Sequence, residues 1–317
     1  MNTYRHAENI NLNHPLEVEK LNSTLQIIVN RSANAFIETG NDDPRFCNLI
    51  GDILQTFWST HKSICILMSH AAADKNLHMG IGADAMSLAR EQVEKIYLLS
   101  LLLEDRDKWV NEYLRDDWRK QYEMILLSKE EHQDLPNHKE FVTTYAPQEL
   151  EKMRIATGIT DEEKEAIEFK FLNPDLKEKQ WPTHIRGKLI EVFPTPKGVI
   201  KVTANSQVEK CLKRWYLEYT HLCTYTHIGL NKIATQSATK RISSKDDLEK
   251  YFFNNLEPSQ IISYVSVLSA CTEVYRHITP NADVLAELTK LWTELEKGSL
   301  LGKVFWNLQA KAILKII

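Results

Sequence analysis

Arg214, Glu218 and His221 are the closest-set residues of this chain that could carry out chemistry together. Arg214 and His221 have six residues between them, a spacing written R-x6-H. Seven positions are nearly two turns of an α-helix, so both side chains project from one helical face, with Glu218 on the same polar stripe. A guanidinium beside an imidazole is the minimum needed to cleave RNA without a metal. The imidazole would take the 2′-hydroxyl proton and the arginine would stabilise charge growing on the phosphate. Glu218 or Tyr219 would then orient the histidine. His227 lies six residues beyond His221, about 240° around a helix, and faces elsewhere. Glu218 and His221 also read E-x-x-H, a spacing used by di-iron carboxylate bundles. Such a site needs a second E-x-x-H and two further glutamates. No second motif is present, although Glu91, Glu94 and Glu273 are helical carboxylates and Glu273 stands four residues before His277.

The element that must position these groups runs from Asn205 to Gly229. Ser206 and Glu209 have capping-box spacing at its start. Val208, Leu212, Trp215, Tyr216, Tyr219, Leu222 and Cys223 then recur with a helical period, and Gly229 suits a left-handed C-cap. A second stretch, LAREQVEKIYLLSLLLED, places Arg90 and Glu94 four apart on one face, where an exposed ion pair contributes about 0.3 kcal/mol.

These two stretches together resemble a HEPN-like family of mostly bacterial helical proteins. That family combines an early R-x-x-x-E helix with a later helix reading roughly Y-x-x-[ST] and then a histidine. Arg90 and Glu94 match the first element. Tyr216, Tyr219, Thr220 and His227 match the second. The resemblance covers residues 45–128 and 205–235. It implies a helical HEPN-like core, a homodimer, and one of two activities. One is a metal-independent ribonuclease of a toxin or phage-defence type, needing no cofactor and using an R-x4-6-H motif that Arg214 and His221 fit. The other is a non-catalytic interaction or regulatory module. RNA, or a protein partner such as an antitoxin, would be bound accordingly. In the superfamily's ribonuclease motif a small polar residue usually follows the arginine, whereas here it is Trp215.

Composition bounds the remaining readings. The chain has 317 residues, 43% hydrophobic and 26% charged, with ten glycines and ten prolines, so breakers are few and helices are favoured. A formal charge of −4 gives no global attraction to nucleic acid or an anionic membrane. A local basic patch of Lys210, Lys213, Lys232, Lys240, Arg241 and Lys245 is the exception. Five scattered cysteines without metal spacing, a polar start and no apolar run long enough to span a bilayer predict a cytoplasmic chain without membrane contact. There is no P-loop, G-x-G-x-x-G or G-x-S-x-G motif.

The periodicity predicts a single all-α domain over 1–317, with 130–204 as an irregular insertion or lid. Helices are expected from about His14 and across Phe46–Met68, where His61 falls in the buried stripe as a core residue. Others begin at Asp84 after a loop over 74–82, and near Trp109, with the charges at Arg115, Asp116 and Asp117 on a solvated face. Thr160 caps a short helix. The Pro- and Gly-rich stretch from Asn173 to Val202 is read as a connector or a hairpin near Lys197. Four more helices follow at 246–255, 258–277, 281–297 and 301–317.

Overall fold

A computed structural model describes residues 15–39, 43–73, 78–131, 146–226 and 258–314. These residues form an all-α multi-helix bundle, with no strand among them. In chain order the helices are α1 (Pro15–Glu38), α2 (Pro44–Ala73), α3 (His78–Glu104), α4 (Arg106–Glu131), α5 (Ala146–Ala156), α6 (Asp161–Leu172), α7 (Pro196–Val202), α8 (Ser206–Thr226), α9 (Pro258–Tyr275), α10 (Ala282–Gly298), α11 (Leu300–Phe305) and α12 (Lys311–Leu314). A short 3-10 turn spans Glu178–Gln180, and a π turn, Trp306–Ala310, joins α11 to α12. The chain divides into two compact units. One comprises Met1–Glu104 with Pro196–Ile317, and the other is Asp105–Thr195. The inserted unit therefore takes in α4 and ends before α7, whereas the sequence placed its bounds at 130 and 204.

In the first unit the bundle is organised around α9, not α8. Helix α9 packs on α1, α2, α3 and α10 and is buried on every side from Ile262 to Val274. Its serine- and valine-rich sequence has poor intrinsic helix propensity, a deficit of a few kcal/mol over the helix. Burial of Ile262, Val265, Val267, Leu268 and Val274 contributes on the order of 10 kcal/mol, so packing decides. Two of its buried hydroxyls are satisfied within the helix: Ser266 donates to the Ile262 carbonyl and Thr272 to the Leu268 carbonyl, each at 2.7 Å. Trp292 Nε1 donates to Thr272 Oγ1 at 2.8 Å and ties α10 to α9.

Four local expectations change. Helix α3 begins at His78, so Gly80, Gly82 and Asp84 lie within it, not in a loop and cap. Interior glycine costs about 1 kcal/mol. The fully buried face of Ala85, Met86, Ala89 and Val93 offsets that cost. The expected connector near Lys197 contains α7, which Pro196 can start because its missing N–H is not needed there. Val199 on α7 is buried. Asn205, not Ser206, caps α8: its Oδ1 accepts from Gln207 N at 3.0 Å and Val208 N at 3.2 Å. Glu104, at the end of α3, accepts from the amides of Ala204 and Asn205 at 2.7 and 2.9 Å. Finally, the single helix expected over 301–317 is broken by the π turn. Leu308 O there accepts from Gln207 Nε2 and, at 3.4 Å, from Cys211 Sγ, so α8 supplies donors to the irregular turn. Gly302 is required in α11, because an added Cβ would lie 2.6 Å from Leu295 O.

The second unit has its own core of Trp118, Ile125, Leu150, Ile159, Ile167 and Ile190. Trp118 Nε1 donates to Leu150 O at 2.7 Å, fastening α4 to α5. Gly158, at φ 66°, turns the chain from α5 into α6, which Thr160 caps as expected and where Glu163 completes a capping box. Arg115, Asp116 and Asp117 of α4 do not form a solvated face. Asp116 is buried and held by Arg119 and Lys120, both at 2.7 Å, while Arg115 pairs with Glu163. These ion pairs allow the apolar residues between them to be covered without stranding charge.

Candidate functional site

Helices α3 and α8 pack along one another and bring together most of the residues singled out from the sequence. Leu212, Trp215 and Leu222 bury the inner face of α8, and Trp215 stacks on Phe305 at 4.2 Å between centroids. Lys213, Leu217, Thr220 and His221 form its exposed side. Arg214 and Glu218 sit at the boundary between these faces.

The expected single polar stripe is thereby divided. Arg214 Nη2 lies 2.7 Å from Glu218 Oε1, with side-chain exposures of 29% and 2%. The buried carboxylate thus has its charge balanced by an arginine one turn earlier, and the remaining buried Arg214 Nε has no hydrogen-bond partner. His221, on the same face two turns along, is exposed. Helical rise separates the Arg214 and His221 backbones by about 10 Å.

Tyr219 turns the other way, to α3. Its hydroxyl donates to Glu94 Oε1 at 3.0 Å, and Glu94 Oε2 pairs with Arg90 Nη2 at 3.1 Å. The Arg90 guanidinium also lies over the Tyr219 ring, 5.9 Å from its centroid. Burial, then the Cys223 thiol and the Glu94 carboxylate, raise the Tyr219 pKa, so at neutral pH its hydroxyl is a donor and not a base. Tyr97 packs edge-on against Tyr219 and donates to Leu212 O at 3.0 Å, which fixes the two helices in register. Tyr219, 125 residues beyond Glu94 in sequence, therefore joins the Arg90–Glu94 pair in one cluster. His227 lies outside the described residues, as do Gly229 and the helix expected at 246–255.

Two R-x-x-x-E pairs thus stand on adjacent helices, each arginine held by a glutamate of its own helix. Tyr219→Phe deletes only the hydroxyl that bonds Glu94, and is expected to lower stability by about 1 kcal/mol. Urea denaturation followed by circular dichroism would measure this, with Arg90 and Glu94 intact as the reference.

Two further polar clusters lie in the first unit. His61 is buried, with Nδ1 2.9 Å from Ser263 Oγ and Nε2 3.1 Å from Asn22 Oδ1. Burial pushes its pKa down to about 4, so it is a neutral core residue, as its place in the apolar stripe of α2 indicates. At the end of α9, Glu273 pairs with Arg276, and His277 Nε2 stands 3.9 Å from the same carboxylate oxygen. Burial, then Arg276, push the His277 pKa down to about 4. Among the described residues no three His, Cys, Asp or Glu side chains converge as a metal site would require. Glu218 of the E-x-x-H spacing is committed to Arg214. The chain matches no protein-family model, no curated protein and no solved structure.

Proposed function

We propose that this chain is a non-catalytic, HEPN-like helical module that associates with a second copy through the exposed side of α8. The observation that carries the reading is the Arg214–Glu218 pair. An arginine that receives a transferring phosphate needs a guanidinium free to meet it. Here the guanidinium is matched to a buried carboxylate at 2.7 Å, and the pair is neutral. Arg90 is matched to Glu94 in the same way, and Lys213 to Glu209 at 2.6 Å. Cations already paired, as these three are, offer little counter-ion release on binding a polyanion; Lys232, Lys240, Arg241 and Lys245 of the expected basic patch lie outside the described residues. The resemblance to HEPN-like proteins supplies the partner, since that superfamily is usually dimeric. Leu217, 58% exposed between Lys213 and His221, gives the contact an apolar centre.

The ribonuclease is the second reading, favoured by the exposure of His221 on the face it shares with Arg214. Two measurements separate them. Purified protein incubated with total RNA and EDTA is expected to leave the RNA intact. Sedimentation equilibrium is expected to give twice the 36.7 kDa chain mass, falling to one chain in Leu217→Asp. EDTA-resistant cleavage lost in His221→Ala, with the circular dichroism spectrum unchanged, would establish the ribonuclease instead. A wild-type monomer at micromolar concentration would remove the self-association.

A further inference from the structure

We infer that the first unit carries a hydration site built into its core, a cavity between α1, α2, α9 and α10 where ordered water bonds the Tyr264 hydroxyl. The cavity measures about 30 Å³. A water needs about 10–15 Å³ on this measure, whereas a cavity that takes benzene measures about 150 Å³. The space therefore suits about one or two waters and is too small for an aromatic ring.

Tyr264 is 7% exposed, and its hydroxyl is buried without a hydrogen-bond partner among the described residues. Its ring packs edge-on against His61, 5.5 Å between centroids, which holds the phenol in place. Burial, then Glu294 and Cys65, raise its pKa, so the hydroxyl is a donor at neutral pH. Both of those neighbours line the cavity, which places the hydroxyl against that space. The nearby side chains are engaged elsewhere. His61 meets Ser263 Oγ at 2.9 Å and Asn22 Oδ1 at 3.1 Å, and Cys65 Sγ stands 3.5 Å from His61 Nε2. Gln260 and Glu294 add an amide and a carboxylate to the wall. A purely apolar cavity stays dry, but one that meets a stranded hydroxyl and further polar groups fills, because water supplies the missing acceptor. The water accepts from Tyr264 and donates to Glu294, tying α9 to α10 through solvent. No residue of α8 takes part, so the site stands apart from the proposed self-association.

Tyr264→Phe in the full-length protein tests the site by the sign of its effect. Deleting a stranded hydroxyl raises stability, whereas deleting one that water satisfies lowers it. The urea midpoint of Tyr264→Phe is expected about 0.3 M below wild type. Glu294→Leu, at an exposed position, is expected to lower it less. The double variant should lose less than the two single losses summed, because both substitutions act on one water. A high-resolution crystal structure of the wild-type chain is expected to show water about 2.8 Å from Tyr264 Oη. A Tyr264→Phe midpoint at or above wild type would overturn the site. So would losses that simply add, or a crystal structure in which Tyr264 Oη bonds a side chain or meets no water.

Discussion

Glu218→Ala is expected to destabilise the first unit by about 3 kcal/mol, the largest loss from any single polar substitution on α8. The carboxylate is 2% exposed and is bonded to Arg214, itself only 29% exposed. Removing it strands a guanidinium whose Nε already lacks a partner, at the edge of a core closed by Trp215 and Leu222. Replacing both partners should cost much less. Arg214→Met with Glu218→Leu is expected within about 1 kcal/mol of wild type, because no unpaired charge remains. Urea denaturation of Arg214→Met, Glu218→Leu and the double variant closes the cycle. A large coupling fits a pair kept for structure. Equal, additive losses would mean that the two residues act independently, and would weaken the proposed module.

Acid is expected to remove about 2.5 kcal/mol of stability through His61 alone between pH 7 and pH 4.5. The sign follows from the direction of the shift. Burial lowers the pKa of His61 to about 4 in the fold, against 6.5 for the ordinary side chain. Between those values the unfolded chain binds a proton that the folded chain refuses. The contribution is therefore fully present above pH 6.5 and is lost as pH falls towards 4. His277, lowered by burial and Arg276, adds in the same direction. Denaturation midpoints at pH 7 and 4.5 for wild type and His61→Gln would check this, since the variant should lose the smaller amount on acidification. Identical losses in the two proteins would assign the acid sensitivity to other groups, such as Asp116, whose carboxyl is held low by Lys120 and Arg119 despite opposing burial.

Helix boundaries with side-chain signals were legible. Pro15, Thr160 and Pro258 start or cap helices where the sequence places them, because a missing N–H and a capping hydroxyl act over a single turn. Local propensity misled where packing overrode it. The glycines at 80 and 82 lie inside α3, and the Pro-rich stretch near 196 closes into α7. The buried Asp116 was hidden for a related reason: adjacent charges read as solvated until their partners one turn away are placed.

The sequence by itself determined the all-α class, the periodic inner face of α8, the core position of His61 and the i,i+4 spacing of Arg90–Glu94 and Arg214–Glu218. Each is a property of one helix, set by 3.6 residues per turn. Packing alone makes α9 the central helix, brings Tyr219 across to Glu94, and sets Arg214 against Glu218 while leaving His221 on the exposed side of α8. Those outcomes depend on which helix lies beside which, and no periodicity within a single helix encodes its neighbour.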